Sequence, residues 1–201
     1  MGGRGSGTAG QIDTRITTES NYTKLQREQN KLVKQKLTKE QLKEEYLKAD
    51  EKISGGTQQH LEFLVNYANK VGYKVKFKDP PVKNATANGM VHYPSKTIYI
   101  KPSRTTSQQV KSLAHEIAHS QLHSKQQRMT KLARGRREKL QEIEAESFAN
   151  MVTNKFGMKN DASKYYREMW RVHNKNHKVS RNYYNVAKSH ITKVYKDMFQ
   201  E

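Results

Sequence analysis

Residues 115–119 read His-Glu-Ile-Ala-His, and this short stretch decides how the rest of the chain is interpreted. The run from about 107 to 123 carries apolar residues at helical spacing, so we predict that the motif lies on a helix. Histidines four positions apart on a helix lie on one face, about one turn from each other. Two imidazoles placed in this way can bind one metal ion, and the glutamate after the first histidine then lies beside that ion.

The motif predicts a zinc site in which His115 and His119 are two of the ligands. The chain has no cysteine, so its metal ligands must come from His, Asp and Glu. Zinc in a catalytic site takes a third protein ligand and keeps a position for water, whose pKa it lowers towards ~7. Glu116 is then the general base, which takes a proton from that water and passes it to the leaving amine. The alternative, an ordinary amphipathic helix with hydrogen-bonded histidines, does not account for the acidic helix that follows.

The third ligand is predicted on a second helix, which we place at about 137–156. Its stretch 142–149 reads Glu-Ile-Glu-Ala-Glu-Ser-Phe-Ala and offers three carboxylates. Glu142 and Glu146 are four positions apart and share a face, whereas Glu144 points elsewhere. We therefore assign Glu142 to the metal and Glu146 to the support of the site, as the acceptor of a histidine N–H.

The stretches 112–123 and 142–149 together resemble the ImmA/IrrE-type metallopeptidases, and among them the variants in phage and mobile-element proteins related to the ArdC antirestriction family. The resemblance covers about residues 57–175. It implies that Glu142 is the third ligand and that Glu146 supports the site. It also implies cleavage of a protein, typically a helix-turn-helix repressor, in bacteria or their phages.

Outward from the motif, the sequence predicts an α+β fold of the minimal zincin type. Strands are expected at 73–78, 89–93 and 97–101, with a Pro94-Ser95 turn that suits a hairpin. We expect them to form a small antiparallel sheet packed with the two site helices. The last strand is either an open edge that can pair with an extended peptide or an ordinary buried strand. The sequence fits both interpretations.

Composition along the chain predicts four regions. Residues 1–20 are rich in Gly, Ser and Thr with few apolar anchors, which is typical of a flexible leader. Residues 21–54 form an exposed basic helical arm, as one helix or a helical pair. The zinc metallopeptidase domain is expected at 55–175, and a C-terminal helix at 176–201.

The formal net charge of +19 is the second strong feature of the sequence. Such a charge attracts phosphate backbones, so nucleic acid is a possible partner beside the protein substrate. No window approaches the ~18 apolar residues of a membrane span, and we expect a cytoplasmic protein of a bacterial host cell with no membrane partner. The basic insert at 125–139 departs from the family pattern. The alternative function is a nucleic-acid-binding or antirestriction-like accessory protein with a structural metal site.

Two further side chains near the motifs have more than one interpretation. His123 lies one more turn along the helix, about 6 Å further, which is too far for the tetrahedral shell of the same ion. We expect it to support the site or to lie in the core. Tyr166 belongs to an aromatic-rich segment that is predicted to fill the core, and stabilisation of an oxyanion is its alternative role.

Overall fold

The computed structural model of the chain describes residues 18–81, 87–123, 134–172 and 181–200. The predicted leader therefore lies largely outside the described residues, and so does the first part of the basic insert. The α+β class predicted from the sequence is confirmed. In chain order the elements are α1 Thr18–Lys34, α2 Lys39–Asp50, α3 Gln58–Lys70, β1 Lys74–Phe77, β2 Gly89–His92, β3 Thr97–Ile100, α4 Thr106–Ala118, a π-helical turn His119–His123, α5 Arg134–Lys155, α6 Ala162–Val172 and α7 Arg181–Phe199.

The sheet has the strand order β1-β3-β2 and is mixed. The predicted antiparallel pairing is right for β2 and β3, which a tight turn connects, with Val91 opposite Ile98. It is wrong for β1, which runs parallel to β3, with Val75 opposite Ile98. The chain leaves β1, passes through β2 and reaches β3 from the other side, so no hairpin fixes the direction of β1. Because β3 is the central strand, its interpretation as an open edge is also wrong.

Side-chain caps set the beginnings of the helices that flank the sheet. Thr57 caps α3, as its sequence predicts, and its hydroxyl accepts a hydrogen bond from the backbone N–H of His60. Thr105 caps α4 in the same way, with Gln108 completing the capping box. Gly157, with a positive φ of 70°, follows the end of α5. These local signals fix the register of the two site helices.

The core lies where α4 and α5 pack against each other and against α3 and the sheet. Leu113, Ile117 and Phe148 are fully buried there. The 21–54 region is a helical pair in which α2 packs on α6 with Leu42 fully buried, while Lys24 and Arg27 of α1 and Lys43 of α2 are exposed. Among the helices that the structure describes, none has the length and apolar character of a membrane span.

Candidate metal centre

The predicted ligand side chains converge at the interface of α4 and α5. The Nε2 atoms of His115 and His119 lie 3.0 Å apart. The carboxylate of Glu142 approaches both rings, with Oε2 at 3.4 Å from Nε2 of His115 and Oε1 at 3.5 Å from Nε2 of His119. One ligand atom from each residue lies within 4.8 Å of the others. The structure thus brings together the three residues that the sequence proposes as ligands.

The geometry of this cluster suits a zinc ion. A tetrahedral zinc with ligand distances of about 2.0–2.1 Å places its ligand atoms roughly 3.4 Å apart. The two Nε2 atoms lie 3.0 Å apart, and each lies 3.4 or 3.5 Å from a different oxygen of the Glu142 carboxylate, so the separations are close to that value. Two imidazole nitrogens and a carboxylate oxygen are also the donors of one common type of catalytic zinc site. The side chains of His115, His119 and Glu142 could therefore hold the metal without a change of backbone.

The outer nitrogen of His115 contacts Glu146. Nδ1 of His115 lies 2.8 Å from Oε2 of Glu146, and Oε1 of Glu146 accepts a hydrogen bond of 2.6 Å from the Ser163 hydroxyl. The ring therefore donates through Nδ1, which leaves Nε2 to face the other ligands. The contact matches the acceptor role that the sequence proposes for Glu146.

His119 has a corresponding support in His123, which is one of the two roles that the sequence predicts for that residue, whereas the part played by Glu144 was not predicted. The π-helical turn brings Nδ1 of His123 to 2.9 Å from Nδ1 of His119, and Nε2 of His123 lies 2.9 Å from Oε2 of Glu144. If His123 donates to Glu144, it accepts from His119, whose Nε2 is then free of a proton. The side chain of Glu144 does point away from Glu142, and its carboxylate contacts the ring of His123 instead. The signal was the placement of His123 four residues after His119.

Electrostatics in the cluster favour charged carboxylates. Burial alone would lower the pKa of His115, but hydrogen bonds to Glu142 and Glu146 outweigh it and raise that pKa to about 10. Burial opposes the charge of Glu142, yet the two histidines hold its pKa far below the usual range. For Glu146, Lys111 and His115 overcome the effect of burial and lower the pKa to about 2. The ionised carboxylates of Glu142 and Glu146 thus form a cradle that a cation can enter, with the charges of His115 and Lys111 beside it.

Tyr166 contributes to the same cradle. Its hydroxyl donates a hydrogen bond of 2.7 Å to Oε2 of Glu142, and its ring meets that of His115 edge to face at 5.7 Å. Burial and the nearby charge of Glu142 raise the pKa of Tyr166 well above its usual range. The phenol therefore stays protonated and orients the Glu142 carboxylate, a role that the core and oxyanion interpretations of the sequence did not include.

Glu116 lies beside the ligands, under strand β2. A Cβ added to Gly89 would stand 2.8 Å from Cγ and 3.1 Å from Oε1 of Glu116, so only glycine allows the strand to approach this closely. Burial raises the pKa of Glu116 above its ordinary value. A carboxylate in this environment is a stronger base than one in water, which suits it to the abstraction of a proton.

A buried lysine that the sequence analysis did not single out completes the centre. The side chain of Lys111 is only 5% exposed, and its Nζ lies 3.1 Å from Oε1 of Glu146. The same Nζ lies 5.3 Å from the ring centroids of both Tyr46 and Tyr166, within the range of cation–π contacts. Burial disfavours its charge, but Glu146 and other nearby groups more than compensate and raise the pKa of Lys111. Its position four residues before His115 was the available signal.

Lys111→Met is expected to destabilise the protein by about 3–5 kcal/mol, because it leaves the Glu146 carboxylate buried without its cation. The free energy of unfolding, from urea titration, is the measurement. The control is Lys48→Met, which removes exposed ion pairs with Glu44 and Glu45 and should leave the free energy of unfolding close to that of wild type. Adding Glu146→Gln to Lys111→Met should recover part of the loss. Equal, small losses for the two lysine variants would contradict the buried pair.

The ligands open onto a cleft of about 530 Å³. Strand β2 lines it through Gly89, Met90 and Val91, and Arg104 lies at its wall with Nε donating to Oδ1 of Asn88 at 2.7 Å. Glu116 and all three candidate ligands line the same cleft. The centre is therefore accessible from solvent.

Two helices that present imidazoles and a carboxylate beside a small mixed sheet are the arrangement of a minimal zincin-like domain. The model of the family Peptidase_M78, the IrrE N-terminal-like domain, matches residues 68–183, more than half of the 201-residue chain. The chain belongs to this metallopeptidase family, which confirms the ImmA/IrrE-type resemblance of its sequence. The closeness to the ArdC-related variants stays a prediction. Comparisons with curated proteins and with solved structures give no match.

Proposed function

We propose that the chain is a zinc-dependent endopeptidase that hydrolyses a protein substrate. The observation that carries the proposal is the convergence of His115, His119 and Glu142 in a cleft that Glu116 also lines. Membership of a metallopeptidase family supports the same reaction class. Zinc is the metal we assign, because two imidazoles and one carboxylate are a donor set that suits it.

In this proposal Glu116 carries the proton transfers of the reaction. When bound, a zinc ion supplies Lewis-acid polarisation of the peptide carbonyl and lowers the pKa of water in the site. Glu116 accepts the proton of the attacking water and delivers it to the nitrogen of the leaving amine. Its burial and the close passage of β2 at Gly89 hold the carboxylate in one place.

The neighbouring carboxylates keep the two histidines in the tautomers that a metal requires. Glu146 accepts from Nδ1 of His115, and Glu144 acts on His119 through His123. Tyr166 fixes the rotamer of Glu142 by a hydrogen bond. In this proposal the role of these residues is to position the ligands.

We further propose that the substrate is a DNA-associated regulator of a phage or mobile element, met in the bacterial cytoplasm. The charge of +19 would concentrate the enzyme on nucleic acid, where such a regulator is bound. The catalytic unit in this proposal is the region 55–175, with the helices outside it as extensions. Direct contact of the basic surface with nucleic acid is part of the proposal.

Co-expression with a panel of helix-turn-helix regulators tests the proposed substrate class. Wild-type chain is expected to convert at least one regulator to two fragments, whose new N-terminus identifies the scissile bond, while His115→Ala leaves that regulator intact. Fragments with both proteins would point to a host protease and contradict the proposal. Intact regulators with zinc-loaded wild type would also contradict it, and would favour the accessory nucleic-acid-binding function.

A further inference from the structure

Helix α2 lines the same cleft as the candidate metal centre. Tyr46 and Leu47 of α2 belong to its wall, together with Glu116 and the three candidate ligands. The family match begins only at residue 68, so this wall comes from a part of the chain that the family pattern does not include. The cleft is therefore completed by a segment that lies outside the region matched by the family model.

The contacts of α2 fix its position relative to the centre. The helix packs on α6, and the Gln108 side chain of α4 donates hydrogen bonds to the backbone oxygen and to Oδ2 of Asp50, at 3.1 and 3.2 Å. The ring of Tyr46 lies 5.3 Å from that of Tyr166, whose hydroxyl holds Glu142. Tyr46 also covers the ammonium group of Lys111. Helix α2 is thus anchored to α4 and α6, two of the elements that build the site.

Leu47 is the apolar side chain of this wall that faces solvent. It is 50% exposed, and of the described residues only Leu47 and Phe77 are large hydrophobic side chains left exposed. Phe77 does not line the cleft but a separate hollow beside α3. Across the cleft, β2 contributes Met90 and Val91, which are both half-buried. Strand β2 packs on β3 and α4, whereas α2 packs on α6. Two apolar surfaces therefore border the same cleft from different elements.

We propose that Leu47 and Tyr46 form a substrate subsite that takes an apolar side chain next to the scissile bond. The inference rests on the proposed peptidase function. An apolar substrate side chain placed between α2 and β2 would remove the exposed face of Leu47 from water, which favours binding. A charged side chain would lose hydration there, and the Asp50 carboxylate of α2, which also lines the cleft, already accepts hydrogen bonds from Tyr46 and Gln108. The N-terminal helix thus sets part of the cleavage specificity, separately from the chemistry of the metal centre.

Cleavage of a proteome-derived peptide library by zinc-loaded protein tests this subsite. Wild type is expected to prefer Leu, Ile, Met or Phe at one position that flanks the cleaved bond. Leu47→Glu should reduce that preference about 10-fold or more and favour Lys or Arg there, since a hydrophobic pocket discriminates by factors of this size. Phe77→Glu is the matched control, because it changes the other exposed large side chain, and it should keep the wild-type profile. Zinc content should be equal in all three proteins.

The outcomes separate the subsite from the proposed function. If wild type and Leu47→Glu both cleave the library with the same preference, the subsite proposal is overturned but the peptidase proposal is not. If wild type instead prefers acidic residues beside the cleaved bond and Arg104→Gln loses that preference, the subsite is also overturned. Specificity would then be assigned to the wall of the cleft that contains Arg104. No cleavage by zinc-loaded wild type would overturn the peptidase proposal, and the subsite with it.

Discussion

Glu116→Gln is expected to lower kcat by about 10²–10⁴-fold while zinc content stays at the wild-type level. The amide has nearly the shape of the carboxylate but cannot accept the proton of water. Glu116 is buried and contributes no ligand atom to the cluster of His115, His119 and Glu142, so the metal should remain. The measurement is the rate of cleavage of a peptide identified from the library, with zinc determined on the same samples.

The matched control for this variant is Glu62→Gln on α3, an exposed glutamate outside the cleft. It should retain the full rate. Equal rates for wild type and Glu116→Gln would contradict the assignment of the general base. Loss of zinc from Glu116→Gln would contradict its placement outside the ligand set.

Glu142→Gln is expected to weaken zinc binding by more than about 100-fold. Changing a carboxylate that only orients a ligand costs about 10–100-fold in metal affinity, so loss of a direct ligand should exceed that range. The neutral amide also removes the negative charge that the two histidines stabilise at this position. Competition with a chromophoric chelator measures the affinity.

Three other glutamates of α5 serve as comparisons for Glu142. Glu144→Gln and Glu146→Gln should each cost about 10–100-fold, because these carboxylates act through His123 and His115. Glu138→Gln, an exposed position one turn earlier, should have no measurable effect on zinc affinity. A larger loss for Glu144→Gln or Glu146→Gln than for Glu142→Gln would contradict the ligand assignment.

The central part of the site could be predicted because it depends on local spacing. His115 and His119 share a face of one helix, and Glu142 and Glu146 share a face of another, whatever the rest of the fold does. Capping by Thr57 and the end of α5 at Gly157 follow from single-residue preferences in the same way. Such signals fix elements and faces but do not determine which elements become neighbours.

The remaining features depend on tertiary packing. The parallel direction of β1 is not encoded in its four residues, since the same alternation suits either direction. The burial of Lys111 requires α2 and α6 to bring the neighbouring rings of Tyr46 and Tyr166 against its ammonium group. The role of His123 depends on packing in the same way, because its partner Glu144 comes from α5.

The most direct test of the central claim is anomalous scattering at the zinc absorption edge, recorded on crystals grown with one equivalent of zinc. We expect one strong peak within about 2.0–2.2 Å of Nε2 of His115, Nε2 of His119 and a carboxylate oxygen of Glu142. A peak elsewhere, or no peak at these three residues in crystals of zinc-loaded protein, would contradict the proposed centre and the peptidase function built on it.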